Sequence, residues 1–454
     1  MTYTVQATDL SSRMTSPFTT EASHEKVDSH AISVTSYLLV LLPRFLRRGG
    51  LRRTEELSAT SYLDALRGLA ALVVVTYHKF PYTNIWLFQL PFLRIVHRGK
   101  GMVDLFFVIS GYVLSQRLLH LMRSQQKSKL LDSLASSVFR RYLRLYIPCA
   151  LVTGLSMLLV SFGLIMPELR QASFPAQIWH CIRDFAQFCN PFAPALGWFD
   201  SNVITNHYDP ALWTIPVEFR GSVIVYAFCI AACKLNTRHR MSMCGLLVFS
   251  CFGWQAFYAA NFLSGVLLAD ISLSRYPERY ISRGPLPFCS NGALAQESLR
   301  MRSVYTTLCV FSLFLLCQPN DMKYFGWPFL NSIAPHWGNY GDGHFWTTIA
   351  SPLLILSLDS LPSLQTPLLW SFSQYIGDLS FGIYAMHILN IHLYWKPVFE
   401  PFVQQHFHDS LLAWLPFTLL HYALILCVAD WFERMDRRVV KLGKMLQSRY
   451  FQDW

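Results

Sequence analysis

The sequence is short of charge. Only 14% of its 454 residues are Asp, Glu, Lys or Arg, against about 25% in soluble globular proteins. That deficit excludes the string of soluble domains that the length would otherwise suggest, because their surfaces need far more polar side chains. With 53% apolar and 15% aromatic residues, it also excludes disorder for most of the chain. Metal signatures are missing too. The eleven Cys are scattered, with no CxxC pair and no Cys/His cluster of the kind that holds zinc. No cleavable signal peptide opens the chain, and no internal repeat is evident. The charge that is present is lopsided, 38 Lys and Arg against 27 Asp and Glu, for a net +11. What remains is a polytopic membrane protein whose positive excess needs a place.

Apolar runs, by contrast, are plentiful. Spans are expected at about 62–80, 102–119, 145–166, 212–233, 241–258, 261–271, 304–317, 345–358, 375–394 and 411–432. Several are shorter than the roughly 20 residues a crossing helix needs. The expected fold class is an all-α membrane helix bundle of about ten transmembrane helices. Residues 1–58 read as a disordered tail and then an interfacial stretch, 32–46, that runs into Arg44, Arg47 and Arg48. Residues 59–432 read as the transmembrane domain and 433–454 as a basic cytoplasmic tail.

The placement of Lys and Arg tests this alternation, since cytoplasmic loops hold the excess. With the N-terminus in the cytoplasm, 26 of them fall on the cytoplasmic side, including Arg44, Arg123 and Arg240, and seven fall opposite. That ratio supports an even number of spans with both termini cytoplasmic. Most of the +11 is then orientation, and nucleic acid is not an expected partner. In the long non-cytoplasmic loop, 167–211, Cys181 and Cys189 can form a disulfide if the loop faces an oxidising lumen. Spacing leaves that pairing open.

Ionisable groups inside spans are costly and are functional candidates by default. The first span carries three, Asp64, Arg67 and His78. Arg67 and His78 are eleven residues apart, roughly 20° from three full turns, so they share a face. They stand roughly 16 Å apart along the axis. One helix thus points a fixed cation and a titratable base into the bundle at two depths. The plainer reading is that these groups snorkel from the helix ends. It suits Asp64 better than His78, whose ring is too short to reach far.

The run from Leu63 to Leu72, Leu-Asp-Ala-Leu-Arg-Gly-Leu-Ala-Ala-Leu, resembles the opening of the acyltransferase 3 family of membrane O-acyltransferases. That family's hallmark is an Arg and a His in the first span with ten residues between them. Val103-Asp-Leu-Phe-Phe-Val-Ile-Ser-Gly-Tyr112 is similar to its second-span motif. Arg140-Arg-Tyr-Leu-Arg-Leu-Tyr-Ile-Pro148 is similar to the Arg-rich approach to its third span. Leu212-Trp-Thr-Ile-Pro-Val-Glu-Phe219 is similar to its Trp–Glu motif, and Gly377-Asp-Leu-Ser-Phe-Gly-Ile-Tyr-Ala-Met-His387 to its late Ser/Tyr/His motif. Five motifs occur in family order. The extended loops resemble fungal members.

The resemblance implies acyl transfer from acyl-CoA, most often acetyl-CoA, to a hydroxyl. Acyl-CoA enters as a co-substrate, with no resident cofactor and no metal. Such chemistry needs a base for the hydroxyl proton and stabilisation of the developing oxyanion. His78 is the best base in the chain, its ordinary pKa of about 6.5 lying near working pH. Glu218 either orients His78, pairs with Arg67, or forms a structural salt bridge with Arg220 or Arg67. Tyr384 and His387, three apart on one helical face, either donate to the acceptor or acyl carbonyl, or serve as an interfacial tyrosine and a satisfied core histidine. Trp213 joins them as a substrate-binding candidate through its motif. Arg140, Arg141 and Arg144 suit the CoA phosphates, because a guanidinium binds phosphate bidentately. Their plainer reading is ordinary positive-inside residues. Asp104, Phe106, Ser110 and Gly111 are read as packing residues, Ser110 having no base beside it in sequence.

The site is expected in a cavity among the first, second, fourth and ninth spans. The acyl group would enter from cytoplasmic CoA and meet its acceptor deep in the membrane or from the lumen, in an endomembrane such as the endoplasmic reticulum. Fungal character points to a hydroxylated secondary metabolite as acceptor, with a cell-wall or surface glycan as runner-up. A secondary transporter is the rival class. It predicts repeated halves and paired broken helices, and the sequence shows no such repeat.

Overall fold

A computed structural model describes residues 42–51, 56–80, 90–191, 205–277, 298–319, 327–334, 345–407 and 411–451. By contacts the chain divides into Met1–Leu42 and Pro43–Trp454. The first unit falls almost wholly outside the described residues, and with it the expected tail and most of the interfacial stretch. The second is a bundle of helices, and no β-strand forms among its described residues.

The helices are α1 (Ser61–Lys79), α2 (Gly99–Arg123), α3 (Lys127–Ser161), α4 (Phe174–Phe188), α5 (Thr214–Ala231), α6 (Thr237–Gly253), α7 (Phe257–Arg275), α8 (Leu299–Leu316), α9 (Trp327–Ile333), α10 (Phe345–Ser360), α11 (Ser371–Asp378), α12 (Ser380–Asn390), α13 (Glu400–Phe407) and α14 (Leu411–Tyr450). A π-helical stretch, Ile391–Phe399, with Pro397 inside it, continues α12. Each expected apolar run is mostly helical, though 145–166 outlasts α3 and 241–258 spans the break between α6 and α7. Among the described residues, however, six helices are long and apolar enough to cross a membrane, or seven if α10 and the segment Pro362–Leu369, bent by 107°, count as one. The expected ten exceeds what length and composition support. Some runs are short or broken, as in α6, α10 and the α11–α12 pair. In α1, Asp64, Arg67 and His78 themselves lower the apolarity.

Two helices are longer than their apolar runs. At about 1.5 Å per residue, α3 spans roughly 52 Å and α14 roughly 60 Å, against about 30 Å of hydrocarbon. Each has a polar half that continues past the apolar one, so no break separates residues 433–450 from the span before them. The two polar halves pack antiparallel, with Ser136 Oγ donating to Gln447 Oε1 at 3.0 Å and the Phe139 and Phe451 rings 5.1 Å apart. The Arg-rich motif is therefore not at the start of its helix but about 20 Å along it.

Helix α1 crosses α11 with almost no side chain between them. A Cβ on Gly68 would come within 2.5 Å of the Ile376 carbonyl, and one on Gly377 within 2.7 Å of the Asp64 carbonyl. The α2–α7 crossing is as tight, Gly111 lying against the Phe262 carbonyl. Past the first crossing, α1 runs parallel to α12, Arg67 meeting Ser380 and His78 meeting His387. This is the relation that alternating first and ninth spans require.

Helix α4 buries Gln177, Cys181, Asp184 and Phe188 and exposes Phe174, Ile178, Trp179 and Ile182. Cys181 lies on it and Cys189 caps it, and both are free thiols. Eight residues of helix hold them roughly 12 Å apart, beyond the reach of a disulfide, so the pairing left open above does not form in this fold. Burial, with Asp184 nearby, pushes the Cys181 thiol up to about 11, and burial alone pushes Cys189 to about 12.

Replacing Gly377 with Val should force α1 and α11 apart at the cost of about 1–3 kcal/mol. A lowered thermal midpoint of the purified protein is the expected measurement.

Candidate active site

The chain leading into α5 is built to hold its first turn in place. Asn206 donates to Thr153 Oγ1 at 2.6 Å and accepts from the Tyr208 backbone at 3.0 Å. The Asp209 carboxylate caps the turn Pro210–Trp213 through the Ala211 N–H at 3.2 Å. Tyr208 is gripped by Gln177 and His180 of α4, each at 2.8 Å. This anchoring sets the Thr214 hydroxyl 2.7 Å from Tyr384 of α12, whose own hydroxyl donates to the Ala211 carbonyl.

Below this junction lies a cavity of about 300 Å³. Helix α1 contributes Asp64 and Arg67, α2 Phe106 and Ser110, α3 Arg141 and Arg144, α5 Glu218, α12 Ser380 and Tyr384, and α14 Asp436. The expected first, second, fourth and ninth helices are there, joined by the third and tenth. Arg67 is fixed by its Nε donating to Ser380 Oγ at 3.1 Å and by Asp64, 3.6 Å away on the same helix. Glu218 is ion-paired with Arg141 and accepts from Ser110 Oγ at 2.6 Å. Arg141 also donates to Ser222 Oγ at 2.9 Å. A second cavity of about 160 Å³ adjoins it through Leu114, Arg141 and Arg144. Its lining adds Ser137, Arg140 and Tyr226 and includes no carboxylate. Pro148 has no N–H to give the Arg144 carbonyl, so the α3 ladder is interrupted at this level.

The expected base lies elsewhere. His78 does not line either cavity. It sits further along α1, its ring 5.1 Å from that of His387, which is in turn 5.7 Å from Tyr384. Tyr384 is the side chain that reaches both the cavity and the histidines.

The sequence-predicted residues thus divide into two groups. Arg67, Glu218, Arg140, Arg141 and Arg144 gather at the cavities, while His78 and His387 meet about three turns of α1 beyond Arg67. Glu218 touches neither His78 nor Arg67 nor Arg220 among its described hydrogen bonds. Its partner is Arg141, and Arg220 Nε instead donates to the Pro191 carbonyl at 3.2 Å. Trp213 lies apart, its ring 6.0 Å from Tyr258. Tyr384 has its hydroxyl engaged by protein groups. Ser110 does have a carboxylate beside it, contributed from 108 residues away. Asp436 was not anticipated, a carboxylate in a basic stretch being its only signal, and Ser380, the serine of the late Ser/Tyr/His motif, had been given no role of its own. Asp104 is held by Asn261 at 2.9 Å and by Thr347 at 2.5 Å, a packing role as expected.

Residues 60–434 match the acyltransferase 3 family, described as an acyltransferase domain, and the chain belongs to that family. It is 30% identical over 389 residues to the O-acetyltransferase PaAT-1 of Phomopsis amygdali, covering 78% of this chain and 76% of that protein. It is 23% identical to the acyltransferase R4 of a Phoma species, covering 73% of this chain and 82% of that one. It is 22% identical to the acyltransferase clz18 of Cochliobolus lunatus, covering 82% and 92%. These relatives are fungal. No solved structure matches the chain.

Replacing Glu218 with Ala strands the Arg141 guanidinium and should cost about 3 kcal/mol, the low end for breaking a buried pair, since both groups border a cavity. In a double-mutant cycle on thermal stability, Glu218→Gln combined with Arg141→Gln is expected to cost less than the two single changes summed.

Proposed function

We propose that the protein transfers an acyl group, acetyl in the first instance, from acyl-CoA to a hydroxyl of a small fungal metabolite. The observation that carries the reading is the pair of adjoining cavities, one lined by three arginines and no carboxylate, the other running from those arginines to Tyr384 and the histidines behind it. Arg140 and Arg144 are placed to receive the phosphates of CoA. Arg144 supports this best, because it makes no hydrogen bond or ion pair among the described residues while bordering both cavities. Guanidinium groups hold phosphate bidentately, and each such contact strengthens where water is scarce.

The donor then extends through the larger cavity, past the fixed positive charge of Arg67, with its acyl end toward Tyr384 and the histidines. His78 takes the proton of the acceptor hydroxyl. The new C–O bond forms, the C–S bond breaks, and the thiolate recovers that proton as CoA leaves, so no proton or electron is gained or lost overall. The acetyl group is suggested by PaAT-1, whose name states O-acetyl transfer. Arg67 and His78 at two depths of α1 support entry of the donor from the cytoplasmic side and of the acceptor from the opposite side, in an endomembrane.

The experiment is acetyl-CoA turnover by the purified full chain. His78→Ala should lower the rate by about 10²-fold or more, the usual worth of a positioned base. Arg144→Ala should raise KM for acetyl-CoA about tenfold, the equivalent of 1.4 kcal/mol, with kcat little changed. Substrate flux across vesicles without release of CoA would replace this reading with transport.

A further inference from the structure

His387 carries an unmet need that the cavity chemistry does not use. Its Nδ1 lies 2.5 Å from the Tyr384 carbonyl, one turn back on α12. A carbonyl only accepts, so Nδ1 carries the proton and Nε2 carries a lone pair. That Nε2 is buried without a hydrogen-bond partner, in a residue that is 0% exposed. A buried acceptor left unpaired costs about 1–3 kcal/mol, so a donor belongs there. The rings that meet His387 are those of Tyr384 and His78. The Tyr384 hydroxyl is engaged by Thr214 and the Ala211 carbonyl. His421, the other buried histidine on this side, also has ring nitrogens without a side-chain partner, but it packs on Trp395 and Phe399 and makes no ring contact with His387 among the described residues. That leaves His78, half-buried, tilted 46° to His387 at 5.1 Å, with no hydrogen bond of its own among the described residues.

We propose that His387 is the positioning residue for His78, its Nε2 accepting the N–H of the His78 ring. The inference rests on the reading of His78 as the base. The hydrogen bond holds the proton of His78 on the nitrogen facing His387 and turns the other, with its lone pair, toward the acceptor hydroxyl. When that hydroxyl gives its proton to His78, the imidazolium keeps its inner N–H on His387. The proton then leaves with the CoA thiolate, and His387 neither gains nor loses one. The relay is a backbone carbonyl, a neutral histidine and the base, in the place where hydrolytic triads use a carboxylate. A neutral orienter suits this site, because a lone carboxylate at bilayer depth is expensive. The acids of this region are committed elsewhere, Glu218 to Arg141 and Ser110, Asp64 to Arg67, and Asp209 to the Ala211 N–H.

The test uses the full chain in lipid nanodiscs with acetyl-CoA as probe and release of free thiol as readout, water or an added alcohol serving as acceptor. His387→Leu is expected to lower kcat about 10²-fold, a loss smaller than that for a wrong tautomer in a hydrolytic triad, with KM for acetyl-CoA within about twofold. His387→Gln presents an amide oxygen near the position of Nε2 and is expected to recover at least about a tenth of the wild-type rate. Should the Leu variant not fold, His387→Met, with no strong acceptor, takes its place under the same expectation. Equal losses in the Leu and Gln variants, or a Leu variant as fast as wild type, overturn the positioning role while His78→Ala stays inactive. Wild-type protein that releases no thiol, or an active His78→Ala, overturns the base assignment and this inference with it.

Discussion

A bilayer-depth helix bundle cannot leave a full charge alone, and the paired arginines of this protein follow that rule. An ion stripped of water costs several kcal/mol unless a counter-charge and hydrogen bonds replace the lost solvent. Asp270 receives both Arg123 and Arg240, at 2.7 Å each, and so ties α2, α6 and α7 together at one end. Asp430 receives Arg44 and Arg434, and Arg44 also reaches Asp378 at 3.1 Å, fastening the chain before α1 to α11 and α14. Glu218 receives Arg141. Against that background Arg144 differs, bordering two cavities with no hydrogen bond or ion pair among the described residues and with Asp436 as the carboxylate whose charge reaches it.

The same constraint explains how much of the protein was legible in its sequence. Helical periodicity is local, so the shared face of Arg67 and His78 could be read from eleven residues of spacing. The helical character of every apolar run was legible for the same reason. Partnerships were not. Glu218 and Arg141 lie 77 residues apart, and nothing in either neighbourhood says which basic residue a carboxylate will meet. Three arginines counted as orientation residues, Arg44, Arg123 and Arg240, turned out to be ion-pair partners as well. Hydropathy marks only the part of a helix that lies in lipid. It therefore set the start of the third span at residue 145, whereas α3 begins at Lys127 and carries its arginines in mid-helix.

Length and composition recognise fewer spans than the apolar runs suggest, for a related reason. Ionisable residues lower a helix's apolarity, and α1, which carries Asp64, Arg67 and His78, is among those that composition alone does not recognise as crossing. Its place is secured instead by backbone contact. Where Gly68 and Gly377 meet, the two main chains touch, and dispersion between closely packed helices substitutes for the hydrophobic drive that lipid does not supply.

The parallel run of α1 and α12 has a mechanical consequence. The contacts Arg67–Ser380 and His78–His387 are two rungs of one ladder, spaced by the same two helices. A slide of α12 by a single residue, about 1.5 Å, would displace both rungs in the same direction. The two contacts are therefore geared to each other, and any shift of α12 that changes the one also resets the other.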